Sequence, residues 1–141
     1  MRVIEVDPGS IRSSFEIKSC IDRGEFVAVL ADRVSPGGRG RTGWAPFLGD
    51  PAPFPHGPFL IPMLLGLPVL LCLAIRREPR QYEVSIEPLA ESRRIPREDR
   101  DAVLQQRIEE FATRLEHHLT SAPYQWFNFY DFWSGPGAAR G

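Results

Sequence analysis

The chain has 141 residues, enough for one domain with a sizeable core and too few for two full domains. Hydrophobic residues make up 43% and charged residues 25%, which excludes a wholly disordered chain. The 17 basic and 18 acidic residues give a net charge of −1, which excludes a nucleic-acid binder that works through bulk positive charge.

At the start, Arg2-Val3-Ile4-Glu5-Val6-Asp7 reads as a strand ending in a turn at Pro8-Gly9, with no signal peptide before it. Ser10 to Arg23 reads as a helix, with Ile11, Phe15, Lys18 and Ile21 at three- and four-residue spacing. Gly24 suits the position just past its end. Phe26-Val27-Ala28-Val29-Leu30-Ala31 is a continuous apolar run, the pattern of a strand covered on both faces of a parallel sheet. Ser35 to Gly57, rich in glycine and proline, reads as a long loop. Pro58 is placed to open a helix that Pro62 would kink and Gly66 would stop. Val69 to Ile75 reads as a second buried strand, and Tyr82 to Glu87 alternates like a half-exposed one. The apolar stretch from Phe59 to Ile75 is broken by Pro62, Gly66 and Pro68, so a membrane-spanning helix is not expected there.

The clearest element runs from Arg97 to Ala122. Leu104, Ile108, Phe111, Leu115 and Leu119 repeat on one helical face, and Pro123 ends the helix. A mostly aromatic segment, Tyr124 to Trp133, follows, and residues 135–141 read as a flexible tail. The element order predicts an α/β domain over residues 1–134, with a largely parallel sheet flanked by helices. Cys20 and Cys72 sit among apolar neighbours and read as small buried hydrophobes. Neither a metal site nor a cofactor is expected.

In open α/β sheets, ligands bind beyond the carboxyl ends of strands, which singles out Asp32 and Arg33. The plainer reading is a turn-forming Asp beside a solvated Arg. His56 lies in a loop without a telling partner, and His117 and His118 suit the C-terminal turns of a helix. The aromatic segment is either a last layer of core or a surface for lipid or for a partner.

Four segments occur in an order that resembles a known family. They are Phe26 to Arg33, Phe47 to Phe59, Leu67-Pro68-Val69, and Pro123 to Trp133. Together they are similar to the C-terminal half of bacterial lysophospholipid-acyltransferase-like proteins, in the branch of the late acyltransferases of lipid A biosynthesis. The resemblance implies a partial acyltransferase fold that moves a fatty acyl chain to a hydroxyl of a lipid or glycolipid acceptor. The implied donor is a thioester of acyl carrier protein or coenzyme A. A histidine in an H-x-x-x-x-[D/E] motif would be the general base. Here the fifth residue after His56 is Ile61, after His117 Ala122 and after His118 Pro123, so the motif is absent and the chain alone is expected to be inactive.

By the same resemblance Asp32 takes the acidic catalytic-site position, and Arg33, Gly49, Ala52, Gly57 and Pro58 belong to the substrate side. Trp126, Phe127, Phe129 and Trp133 would contact the membrane or shape the acyl channel. The implied location is the cytoplasmic face of the inner membrane, attached peripherally. An open sheet edge, left where the preceding half of such an enzyme would sit, would invite self-association. The alternative is a non-catalytic lipid- or partner-binding module that uses the aromatic segment.

Overall fold

Three helices and two β-hairpins follow one another in the computed structural model of the protein, which describes residues 3–4, 12–34 and 41–133. Helix α1 spans Arg12–Asp22. Strands β1 (Thr42–Phe47) and β2 (Asp50–Pro55) form the first hairpin, and α2 spans Gly57–Leu65. Strands β3 (Val69–Glu78) and β4 (Gln81–Ala90) form the second hairpin, and α3 spans Arg100–Ser121. Single 3-10 turns, Arg97–Asp99 and Pro123–Gln125, flank α3. The proposed N-terminal strand and the C-terminal tail fall almost wholly outside the described residues.

The largely parallel sheet flanked by helices is not what forms. Both sheets among the described residues are two-stranded and antiparallel. The run Phe26 to Ala31, expected to be a covered strand, has no strand pairing, and Phe26 is 98% exposed. Without it there is no partner for a parallel β3. That strand instead folds back on its neighbour through Pro79-Arg80. Proline presets φ at the first turn position, and Arg80 takes the left-handed φ of 75°. A run apolar on both faces reads as buried, but β3 buries Leu71 and exposes Leu70 and Cys72. Cys72 is thus a surface thiol and Cys20 a buried one.

The proline-rich stretch expected as a loop contains the first hairpin. Leu48 and Gly49 both take positive φ, 52° and 95°, as a two-residue turn of the twist-matched kind requires. Such a turn makes Phe47 and Asp50 the first hydrogen-bonded pair, and pairs alternate from there. Pro46, Pro51, Pro53 and Pro55 then all fall at non-hydrogen-bonded positions, where a missing N–H costs no ladder bond.

The helices match expectation more closely. Helix α1 ends at Gly24 (φ 76°) with Gly24 N–H donating to Ile21 and Glu25 N–H to Cys20, which satisfies its last carbonyls. Helix α2 carries Pro58 in its first turn, contains Pro62 without ending there, and stops at Gly66 (φ 67°). Helix α3 buries the expected stripe Leu104, Ile108, Phe111, Leu115 and Leu119. That stripe meets Ala45 and Phe47 of β1, Ala52 and Phe54 of β2, and Phe59 and Met63 of α2 in one core. Gly43 permits the approach: a Cβ there would lie 2.6 Å from Ile108 Cδ1.

Candidate functional site

Asp32 and Arg33 leave the exposed 26–31 segment and meet the chain again almost a hundred residues later. The Trp126 indole N–H donates to Asp32 Oδ2 at 3.0 Å, and Arg33 Nη2 donates to the Phe127 carbonyl at 3.2 Å. Trp126 in turn stands edge-on to Phe47 at 5.2 Å and to Phe132 at 5.0 Å between ring centroids. Trp133 lies against Phe47 at 6.3 Å and donates its indole N–H to the Phe47 carbonyl at 3.3 Å. The end of β1, the segment after residue 31 and the aromatic segment therefore close on one junction.

The aromatic segment divides by direction. Trp126 is half-buried and Phe132 buried, whereas Phe127 is 63% and Phe129 90% exposed, their rings 6.4 Å apart. Between those two, the Asn128 side-chain amide is buried with no hydrogen-bond partner. The segment thus supplies a core layer through Trp126 and Phe132 and leaves Phe127 and Phe129 exposed.

The substrate-side residues do not gather. Gly49 sits in the β1–β2 turn, two residues from Phe47 and so beside the junction. Gly57 and Pro58 open α2 at the far end of β2, roughly 20 Å away by strand rise. Ala52 is fully buried beneath the hairpin and can touch no substrate.

Among the described residues, no imidazole of His56, His117 or His118 hydrogen-bonds to a hydroxyl. His118 Nε2 is 3.3 Å from Glu87 Oε1, and that same oxygen accepts the Ser85 hydroxyl at 2.9 Å. The carboxylate stands between hydroxyl and imidazole, the reverse of the order a nucleophile needs. The Ser85 and His118 contacts hold the Glu87 carboxyl below the usual carboxylate range. Arg114 approaches Glu87 at 3.6 Å and also pairs with Glu110, so the cluster is a surface ion network joining β4 to α3.

His56 precedes α2 with its ring beside Gly43 and Gln105. Burial first, and then the Arg41 charge, push its imidazole below the ordinary value of 6.5. The folded protein therefore holds fewer protons here than the unfolded chain. This contribution to stability is present above pH 6.5 and is lost as pH falls through the depressed value. An NMR titration of the His56 ring is expected to give a midpoint below 6.5, and Arg41→Gln to move it part of the way back. An unchanged midpoint in the variant would remove Arg41 from this account.

Arg76, Tyr82, Tyr124 and Gln125 line a groove of about 600 Å³ at the turn end of β3–β4. The alternation of Tyr82 with Val84 and Ile86 marks one side of it in the sequence, and the aromatic segment that begins at Tyr124 marks the other. Among the described residues no group of three His, Cys, Asp or Glu side chains could hold a metal ion, and no helix is long and apolar enough to cross a membrane. No family model, curated protein or solved structure matches the chain.

Proposed function

We propose that the protein takes part in transferring a fatty acyl chain from an acyl thioester to a hydroxyl of a lipid or glycolipid acceptor. One observation carries this reading. Segments that resemble the lysophospholipid-acyltransferase-like proteins, far apart in sequence, meet at one junction through Asp32, Arg33, Phe47, Trp126 and Phe127. The lipid acceptor belongs to a bilayer, so the reading includes peripheral attachment at the cytoplasmic face of the inner membrane, with Phe127 and Phe129 as the outward contacts.

In acyl transfer the acceptor oxygen attacks the thioester carbonyl, its proton passes to a base and the thiolate leaves. In this proposal Asp32, fixed by Trp126, orients the acceptor hydroxyl and does not itself deprotonate it. The H-x-x-x-x-[D/E] motif is absent from the sequence, so in this proposal the chain alone binds acyl compounds without transferring them. The second reading, a lipid- or partner-binding module, is favoured by the paired exposure of Phe127 and Phe129. It predicts binding with no dependence on Asp32.

The test is a titration of the protein with a palmitoyl thioester and, separately, a lysophospholipid, read by Trp fluorescence, with mass spectrometry for acylated product. Saturable binding of both and no product are expected. Asp32→Asn, which keeps an acceptor for Trp126, is expected to weaken the lysophospholipid about tenfold and leave the thioester unchanged. No dependence on Asp32 favours the binding module. No saturable binding of either compound overturns the proposal, and product formed by the chain alone overturns the assignment of the base.

A further inference from the structure

Among the described residues Arg107 is the only buried charged side chain, 8% exposed, on the N-terminal half of α3. It stands three residues after Leu104 and four before Phe111, so the helix turns it toward the side that carries the apolar stripe. Its Nη1 is shut off from solvent and has no hydrogen-bond partner. Among the described residues no carboxylate lies within ion-pair distance of it. A buried charge is ordinarily paired, and a buried donor without an acceptor is costly. Burial first, and then the charge of Arg93, push the Arg107 guanidinium below its ordinary value, and only Glu110 works against them.

Arg107 lines a cavity of about 180 Å³ between the end of β4, the turn after it and α3. The other charged residues of the lining are Glu91, Arg93 and Glu110. Glu110 is already committed to Arg114, which stands outside the lining. Glu91 is exposed and is not among the charges that act on Arg107. What asks for a ligand is therefore the unbonded fork of Arg107 with a second guanidinium beside it. The walls are held in place on both sides. Ser92 Oγ donates to the Gly66 carbonyl at 2.6 Å, which ties the turn carrying Arg93 to the end of α2. Arg114 Nη1 donates to the Pro88 carbonyl at 2.7 Å, which ties the end of β4 to α3.

We infer that this cavity binds one phosphate-sized oxyanion between the guanidiniums of Arg107 and Arg93. A neutral ligand would leave the buried charge unanswered. A carboxylate has two oxygens and is satisfied by one fork, whereas a tetrahedral phosphate offers oxygens to two forks at once. The volume of about 180 Å³ is about six times the share of a water molecule in the liquid, room for a phosphate group and none for an acyl chain. The site is thus separate from the acyl-transfer reading, and the aromatic segment follows the opposite end of α3. The phosphate comes either as the free ion or as the phosphomonoester end of a larger molecule.

Calorimetric titration of the full chain at constant ionic strength compares inorganic phosphate, glycerol 3-phosphate and acetate. Saturable binding of phosphate is expected, with acetate at least about tenfold weaker. Arg93→Gln, at an exposed side chain, is expected to weaken phosphate by about 5- to 10-fold. Arg107→Met is expected to abolish phosphate binding. In phosphate-free buffer the same variant is expected to keep or raise the urea midpoint, because it replaces an unpaired buried charge by an apolar stem. Glycerol 3-phosphate binding as tightly as phosphate sustains the inference with a phosphomonoester as the source, and binding of inorganic phosphate alone sustains it with the free ion. The inference is overturned if phosphate binding does not saturate, if acetate binds as tightly, or if Arg107→Met still binds phosphate. It is equally overturned if Arg107→Met lowers the midpoint without phosphate, since the guanidinium then serves the fold and not a ligand.

Discussion

Phe47→Ala is expected to lower the unfolding free energy by about 3–5 kcal/mol, the range for truncating a fully buried aromatic ring. Phe47 ends β1 with no exposed surface, and its ring meets four others: Trp126 at 5.2 Å, Phe54 at 5.5 Å, Phe132 at 5.8 Å and Trp133 at 6.3 Å. Deleting it leaves a cavity that the hairpin backbone cannot collapse into, because β1 is fixed by its pairing with β2. Against a total of about 5–15 kcal/mol for a domain, the loss is a large fraction of stability. Urea unfolding would show it as a lower midpoint with an unchanged slope. Two of the partners are tryptophans, so native-state emission is also expected to shift to the red. Phe15→Ala, at a 65% exposed ring on α1, is the contrast and is expected to change stability by no more than about 0.5 kcal/mol. A loss below about 1 kcal/mol for Phe47→Ala would mean that the aromatic segment is not seated on β1.

What sequence reveals of this fold depends on how local the cause is. Helix α3 is legible because its stripe from Leu104 to Leu119 is a property of one segment. The stop of α1 at Gly24 and of α2 at Gly66 follow from the left-handed backbone that glycine alone takes readily. The first hairpin escapes notice because proline is ordinarily a strand breaker. Its signal is subtler: prolines at 51, 53 and 55 keep the two-residue period of a strand, and Ala45 and Phe47 alternate on the opposite one. The parallel-sheet expectation fails at a different point. Val69 to Ile75 is apolar on both faces whether its neighbour is parallel or antiparallel, and only the short Pro79-Arg80 turn tells them apart.

The candidate site was legible in its parts and not in its assembly. Position after an apolar run singles out Asp32 and Arg33, but nothing in their surroundings names Trp126, which lies across the fold. Ala52 stands in a motif that reads as substrate-facing and is core, since β2 turns that position toward α3. Gln125, whose amide clamps the 3-10 turn to the Arg76 N–H and carbonyl, carries no signal of its own, because a clamp to backbone atoms can be made by many side chains and is specified by tertiary placement. The aromatic segment is the middle case: Trp126 and Asn128 turn inward while Phe127 and Phe129 turn outward, an alternation of two that the residue names alone do not mark.

That alternation sets the largest expected effect on binding. The membrane part of the proposal rests on Phe127 and Phe129 and not on Trp126 and Trp133, whose rings are already committed to Phe47. Burying a phenylalanine is worth about 1.5–3 kcal/mol, so Phe127→Ser with Phe129→Ser is expected to weaken sedimentation with phospholipid vesicles by roughly 100-fold or more. With a net charge of −1 the protein has little electrostatic pull toward anionic lipid, so binding of the unaltered chain is expected to persist at high salt. Tryptophan emission is expected to change little on binding, because the two rings that carry the attachment are phenylalanine and Trp44 lies on β1, outside the aromatic segment. Binding abolished by salt would transfer the attachment to the arginines. In a Trp44→Phe variant, which removes the half-exposed indole on β1, a strong blue shift would mean that Trp126 or Trp133 leaves the Phe47 junction to enter the bilayer, and that the junction opens when the lipid is met.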